Sequence, residues 1–244
     1  MTLLTRAKWH IGRVVDIRRE TRSAVRIELD VPTWPGNHPG AHLDIRLTAP
    51  DGYQAARSYS VASSGETTRV VLAVEEVDGG EVSPFLVHHL SKGEEVEVHG
   101  PLGRYFVWDP STPDLTPVQL IAGGSGIVPL FAMAVARELE ADSVAFRLLY
   151  SVRTPQDVFF SEEIAAFART TVDLVHTREP PPGADRPAGR LTRESLGALT
   201  FPSSAAPRIF VCGPTPFVEA VAGWLVQLGH DPARIRTERF GGIG

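Results

Sequence analysis

Short runs in the 244-residue chain carry groups able to do chemistry. Arg57-Ser58-Tyr59-Ser60 offers a cation, a ring and hydroxyls at neighbouring positions. Such a set suits an anion clamp, a stacking surface and a hydrogen bond to a heterocycle. It suits the alternation of an ordinary strand equally well, and composition does not decide between them. The run Ala122-Gly123-Gly124-Ser125-Gly126-Ile127 follows an apolar stretch and opens a helical pattern. Gly124, Gly126 and Pro129 fall at the glycine positions of a G-x-G-x-x-G fingerprint, with proline in the third place. Glycines there admit a pyrophosphate close to the backbone, and the free N–H groups of a helix start favour an anion. Proline so early in a helix loses no hydrogen bond. Glycine-rich turns of this kind also occur in α/β proteins that bind no nucleotide. The Gly-Lys-Ser/Thr ending of a P-loop is absent, which sets NTPase chemistry aside.

Further on, Tyr150-Ser151-Val152-Arg153 ends another apolar stretch. A site that takes NAD often presents an Asp or Glu about 20 residues past its glycines, to accept from the ribose 2′-hydroxyl. No acid stands there; Ser151 and Arg153 suit a 2′-phosphate instead, and Arg178 ends the following stretch. The competing reading is surface arginine, because only Lys8 and Lys92 of the 24 basic residues are not Arg. Val211-Cys212-Gly213-Pro214 closes a last apolar strand. A buried thiol is ordinarily a small hydrophobe, but at the carboxyl edge of a parallel sheet it can line a ligand crevice.

The elements that must hold these groups fall into two textures. Residues 9–108 read as short Val- and Ile-rich strands at 9–19, 23–31, 41–47, 59–63, 69–77 and 94–100, with a helix-like stretch at 82–90. That pattern predicts an antiparallel sandwich or small closed barrel. A proline-bearing stretch, 108–117, follows as a linker. Beyond it strands (117–122, 145–151, 171–177, 208–213) alternate with helical patterns (127–140, 161–169, 193–199, 214–229). Such alternation predicts parallel βαβ units with ligands at the carboxyl ends of the strands. The boundaries are expected at 1–110 and 111–244. Residues 179–189 form a proline-rich loop.

Charge and composition narrow the function classes. The formal net charge of −5 gives no electrostatic pull toward nucleic acid. Residues 1–27, including Arg6, are net basic, and 75–97 are net acidic. These are two solvated strand faces or, on the sharper reading, a docking surface for a charged partner. One cysteine excludes an intramolecular disulfide, and also a thiolate-held zinc or iron–sulfur cluster built from this chain alone. His38 and His42 have a helix-breaking Pro39-Gly40 between them, and His88 and His89 point to different faces, so no metal is expected. No apolar run approaches the ~20 residues of a membrane span, and the start lacks a signal-peptide core, so a cytoplasmic location is expected.

Taken in order, these runs resemble the ferredoxin–NADP reductase superfamily of flavoenzymes across nearly the whole chain. Arg57, Tyr59 and Ser60 match its R-x-Y-S flavin motif, with Ser58 between them. The match implies that Arg57 holds a flavin phosphate, Tyr59 packs on the isoalloxazine and Ser60 approaches its N5. Gly79, Gly80, Glu81, Val82 and Ser83 resemble a second pyrophosphate-binding segment, which favours FAD over FMN. Gly100-Pro101-Leu102-Gly103 resembles the turn that closes the barrel. Gly123, Gly124, Ser125 and Gly126 match the nicotinamide-domain glycines, and Cys212-Gly213-Pro214 the segment beside the nicotinamide. Glu238 and Phe240 resemble a C-terminal acid and aromatic near the flavin. Ser60, Cys212 and Glu238 are therefore the expected catalytic residues. Ser151, Arg153 and Arg178 would choose NADP, with NAD possible. The resemblance implies hydride transfer from NAD(P)H to FAD, then electrons to a ferredoxin, flavodoxin or oxygenase component. The alternatives are a flavin reductase or diaphorase without a dedicated protein partner, and a non-catalytic nucleotide-binding adaptor. Two departures stand out. The chain continues four residues past Phe240, and it has no cysteines for an appended [2Fe–2S] cluster.

Overall fold

A computed structural model describes residues 7–112, 114–140, 144–184 and 186–241. Arg6 of the basic run, Pro113 of the linker, Asp185 of the proline-rich loop and the last three residues past Phe240 lie outside them. The chain divides into two compact units, Met1–Trp108 and Asp109–Gly244.

The first unit is an antiparallel sheet of six strands: β1 (Lys8–Thr21), β2 (Ala24–Asp30), β3 (His42–Thr48), β4 (Gln54–Ser60), β5 (Arg69–Glu75) and β6 (Glu95–Leu102). Their order is β4-β3-β6-β1-β2-β5. An isolated bridge from Val61, just past β4, to Leu72 of β5 joins the two ends, giving the barrel-like closure. The period-2 pattern explains the interior. Val25, Ile27 and Leu29 are buried while Arg26 and Glu28 turn outward, and Leu43, Ile45, Val70, Leu72 and Val98 meet them inside. A short helix, α1 (Ser83–His88), adds Leu86 and Val87 to this core. Outside, Arg26 and Glu20 pair at 2.7 Å, so part of the basic run is neutralised locally.

The edge strand β4 is where the structure departs from the sequence reading. It spans 54–60 rather than 59–63, in continuous register with β3 from His42↔Ser60 to Thr48↔Gln54. Gln54, Arg57 and Ser58 are exposed, so this strand lacks the apolar signature of a central one.

The second unit is a parallel sheet in the order β11-β10-β7-β8-β9. Its elements are β7 (Val118–Gly123), α2 (Ile127–Leu139), β8 (Phe146–Val152), α3 (Ser161–Ala165), β9 (Thr170–His176), α4 (Arg193–Leu199), β10 (Arg208–Pro214), α5 (Thr215–Gln227) and β11 (Ile235–Phe240). The central strand β7 is buried at every residue, which is why it reads as one unbroken apolar run. Ile121, Leu149 and Val211 pack beneath Leu196 of α4 and Val218 and Val221 of α5. Leu120, Leu148 and Phe210, one step along the pleat, are equally buried on the opposite face.

Two expectations need correction here. The helix expected over 161–169 ends at Ala165, because the Glu138 carboxylate takes the N–H groups of Ala168 and Arg169 at 2.9 and 3.0 Å. The strand β11 was not foreseen: Ile-Arg-Thr-Glu-Arg-Phe is too polar to signal one, yet it pairs with β10 over its length. Among the described residues, no helix is long and apolar enough to cross a membrane.

Candidate functional site

In the first unit the site begins at β4. Leu43 and Ile45 point into the core, and their register partners are Tyr59 and Arg57. Strand alternation therefore puts Arg57 and Tyr59 on the inner face, at its open edge, and Ser58 and Ser60 on the other. The run expected to act as one group is divided. Tyr59 packs against the barrel core, and burial pushes its phenol up to about 12, so it stays protonated. Ser58 instead donates its hydroxyl to Asp44 Oδ1 at 2.6 Å, and Asp44 Oδ2 faces His99 Nδ1 at 3.4 Å.

The segment ahead of α1 divides in the same way. Val82 is fully buried among the barrel's core residues. Ser83 Oγ accepts the N–H of Val77 at 3.1 Å and holds the turn from inside. A side chain at Gly80 would strike Val77 O at 2.9 Å, so only glycine fits there. Gly79 adopts φ +69°, and a methyl added to it would meet nothing within 4 Å. Glu81 turns back to Arg57, with Arg57 Nη2 donating to Glu81 Oε2 at 3.1 Å. A guanidinium, a neutral phenol ring and an open glycine turn suit a flavin nucleotide with its phosphates. The Glu81 carboxylate, held on Arg57, opposes an anion there.

In the second unit the glycines between β7 and α2 have unequal reasons to exist. A Cβ on Gly126 would lie 2.3 Å from Cys212 O, and one on Gly123 would lie 2.7 Å from the Phe217 ring. One on Gly213 would lie 2.9 Å from Phe217 and 3.1 Å from Gly123 O. These three let the β7 turn press against the end of β10. Gly124 differs: its φ is +54° and a Cβ there would meet nothing within 4 Å. Gly124 thus leaves the turn open at the start of the 13-residue helix α2, beside Ser125. The donors and the opening suit a pyrophosphate.

The end of β10 carries the strongest electrostatic signal. Cys212 is 2% exposed, and its partner across the parallel ladder is Glu238 of β11; Pro214 is likewise paired with Phe240. Burial pushes the Cys212 thiol well up, and the Glu238 charge pushes it further, so the group stays a thiol. Burial also raises the Glu238 carboxyl from 4.5 to about 7. Its Oε2 is buried without a hydrogen-bond partner.

A stability profile follows from that carboxyl. The folded chain holds a proton on Glu238 that the unfolded chain releases near pH 4.5. Stability from this group is therefore full below 4.5 and declines as pH rises toward about 7. The loss amounts to at most ~3.5 kcal/mol at about 1.4 kcal/mol per pH unit. Flavin- and nucleotide-free Glu238→Gln, melted at a series of pH values, is expected to lack this decline. An unchanged profile would mean that Glu238 is hydrated.

The nucleotide-choosing residues assemble at the ends of β8 and β9. Gly123 and Ser151 are register partners, so Ser151 stands beside the glycine turn, although it is only 8% exposed. The ladder runs past the strand ends: Arg153 O accepts the N–H of Arg178 at 2.9 Å and of Glu179 at 3.2 Å. Arg153 and Arg178 are thereby adjacent and both exposed. Sequence reasoning missed Glu179, an acid delivered to this corner by the next strand rather than by β8, and Asp44, which takes up Ser58. Asp44 lies fourteen residues from Ser58, and Glu179, although next to Arg178, meets Arg153 only through the pairing of β9 with β8, so no local signal marked either contact. Among the described residues, no three His, Cys, Asp or Glu side chains gather as a metal site would need.

Comparison with known proteins covers both units. The oxidoreductase FAD-binding domain model matches residues 12–107, and the oxidoreductase NAD-binding domain model matches 120–223. The chain is 30% identical over 256 residues to one of the subunits of the 1,2-phenylacetyl-CoA epoxidase of Escherichia coli, covering 95% of this chain and 68% of that one. It is 31% identical over 213 residues to the glycine betaine monooxygenase reductase subunit of Chromohalobacter salexigens, covering 83% of this chain and 56% of the relative. Both relatives are thus considerably longer. The fold matches the FAD/NAD-binding domain of nitric oxide dioxygenase from Vibrio cholerae with a TM-score of 0.82 at 24% identity, covering 96% of this chain and 99% of that domain.

Proposed function

Because the chain belongs to the ferredoxin–NADP reductase superfamily, as an FAD-dependent NAD(P)H oxidoreductase, we propose that it takes hydride from NADPH and passes electrons to a separate redox protein, an oxygenase component or a ferredoxin. The observation that carries this reading is the end of β10. A buried thiol and a carboxyl with its pKa raised to about 7 face each other beside a glycine turn that leaves open space. The relatives named as parts of an epoxidase and a monooxygenase support the choice of acceptor.

Bound FAD supplies the hydride acceptor and releases electrons singly. The chain's residues do the rest. Arg57 neutralises phosphate charge, and Tyr59 offers a ring held by the barrel core. Ser60 is the last residue of β4, and its hydroxyl is proposed to approach flavin N5 on the strength of its match to the R-x-Y-S motif. Gly124 and Ser125 receive the nucleotide pyrophosphate at the start of α2. Cys212 keeps its proton and acts through shape, fixing how closely the nicotinamide approaches. Glu238 holds a proton near neutral pH and so offers a donor where a charged carboxylate would repel electron density. Phe240, 38% exposed next to Pro214, offers a ring at the end of β11 beside the proposed nicotinamide segment.

Retention of the flavin tests the reading. Protein reduced by NADPH and passed through a desalting column is expected to keep its FAD and to hand electrons to an added ferredoxin. Release of reduced flavin would identify a flavin reductase instead.

NADPH is expected to be the better substrate. Arg153 and Arg178 stand side by side, and a charge-assisted hydrogen bond contributes ~1.5–3 kcal/mol when well formed. Exposure and the neighbouring Glu179 favour the lower end, so Arg153→Ala is expected to cut the NADPH/NADH ratio of kcat/KM about tenfold. A ratio unaffected by the substitution would leave Arg153 as one more surface arginine.

A further inference from the structure

The guanidinium expected to clamp a flavin phosphate already holds an anion. Arg57 Nη2 donates to Glu81 Oε2 at 3.1 Å, and Nη1 donates to the Ala56 carbonyl at 2.7 Å. The Tyr53 hydroxyl donates to the other oxygen, Glu81 Oε1, at 2.8 Å, and this bond raises the Tyr53 pKa. Both oxygens of Glu81 are therefore used, and the carboxylate is held facing the cation. Glu81 sits two residues past Gly79, inside the segment that would receive the pyrophosphate.

We propose that Glu81 is an internal competitor for the flavin phosphate, so that FAD binds by displacing a carboxylate from Arg57 and is held more weakly than the clamp alone would hold it. This rests on the reading of Arg57 as the phosphate clamp. Carboxylate and phosphate present similar oxygen geometry to a guanidinium fork, so the same N–H groups satisfy either but not both. The resident pair is weak enough to exchange: the Arg57 and Glu81 side chains are 55% and 49% exposed, and exposed pairs contribute little. Once displaced, Glu81 remains a negative charge tethered beside bound phosphate and keeps opposing it. Glu81 thus works against flavin retention from within the segment that otherwise favours it. The consequence is an FAD held less tightly than Arg57 and the glycine turn would hold it without Glu81.

The test uses the apoprotein titrated with FAD, read by quenching of flavin fluorescence. Glu81→Gln preserves size and an acceptor for Tyr53 while removing the charge. Its Kd for FAD is expected to fall about five- to tenfold, the scale of one charge contact removed in a largely solvated site. Arg57→Ala is expected to raise Kd well above wild type, and Arg57→Ala/Glu81→Gln to bind more tightly than Arg57→Ala alone. If Arg57→Ala weakens FAD but Glu81→Gln binds no more tightly than wild type, the competitor role is overturned and the flavin site stands. If Arg57→Ala binds FAD as wild type does, the flavin site itself is misassigned.

Discussion

Arg57→Ala should leave purification with little flavin and an intact fold. The guanidinium lies at the open edge of the barrel, with its side chain 55% exposed, so the core does not depend on it. Its loss removes a fork of charged donors from the phosphate, each worth ~1.5–3 kcal/mol when fully formed. It also leaves Glu81 uncompensated in the same segment. A loss of flavin affinity of about a hundredfold or more is the expected sum. Arg57→Lys restores the charge without the planar fork and should recover only part of it. The measurement is the ratio of flavin to protein absorbance as purified, with thermal melting to confirm the fold. Full occupancy in Arg57→Ala would remove this residue from the site.

Cys212→Ala should keep its flavin but accept hydride from NADPH about a hundredfold more slowly. The thiol is buried and its pKa is raised well above the usual range, which excludes a thiolate nucleophile. Its expected role is to set the approach of the nicotinamide at the end of β10, and a misplacement of ~1 Å there can cost about 10²-fold in rate. Truncation to alanine removes one small atom from a packed strand end, so melting should shift only slightly. Stopped-flow bleaching of the flavin band under single-turnover conditions separates this step from binding. Bleaching at the wild-type rate would reduce Cys212 to packing.

The elements legible in the sequence were those whose burial is repetitive. Val25, Ile27 and Leu29 announce a half-buried strand, and Val118 to Ala122 a strand covered on both faces. What stayed hidden or misplaced were two of the four edge strands. β4 and β11 each lie at the end of a sheet, pack partly against solvent and carry Arg, Ser, Thr or Glu where a central strand would carry Val. The candidate site suffers most from this, because Arg57 stands on one edge strand and Glu238 on the other. The glycine run shows a second limit. Its spacing suited a nucleotide, yet Gly123 and Gly126 are required by the Phe217 ring and the Cys212 carbonyl, and of the three only Gly124 leaves open space. Packing glycines and binding glycines look alike until the neighbouring strand is placed. Pairs formed across long separations, Arg57 with Glu81 and Cys212 with Glu238, have no local signature at all.

The most direct test of the central claim is anaerobic reduction of the FAD-reconstituted protein by NADPH, followed by its flavin absorbance. The band should bleach within a single turnover and return when a one-electron acceptor, such as an oxidised ferredoxin, is added. A protein that takes up no FAD, or whose flavin band persists under excess NADPH and NADH, would contradict it.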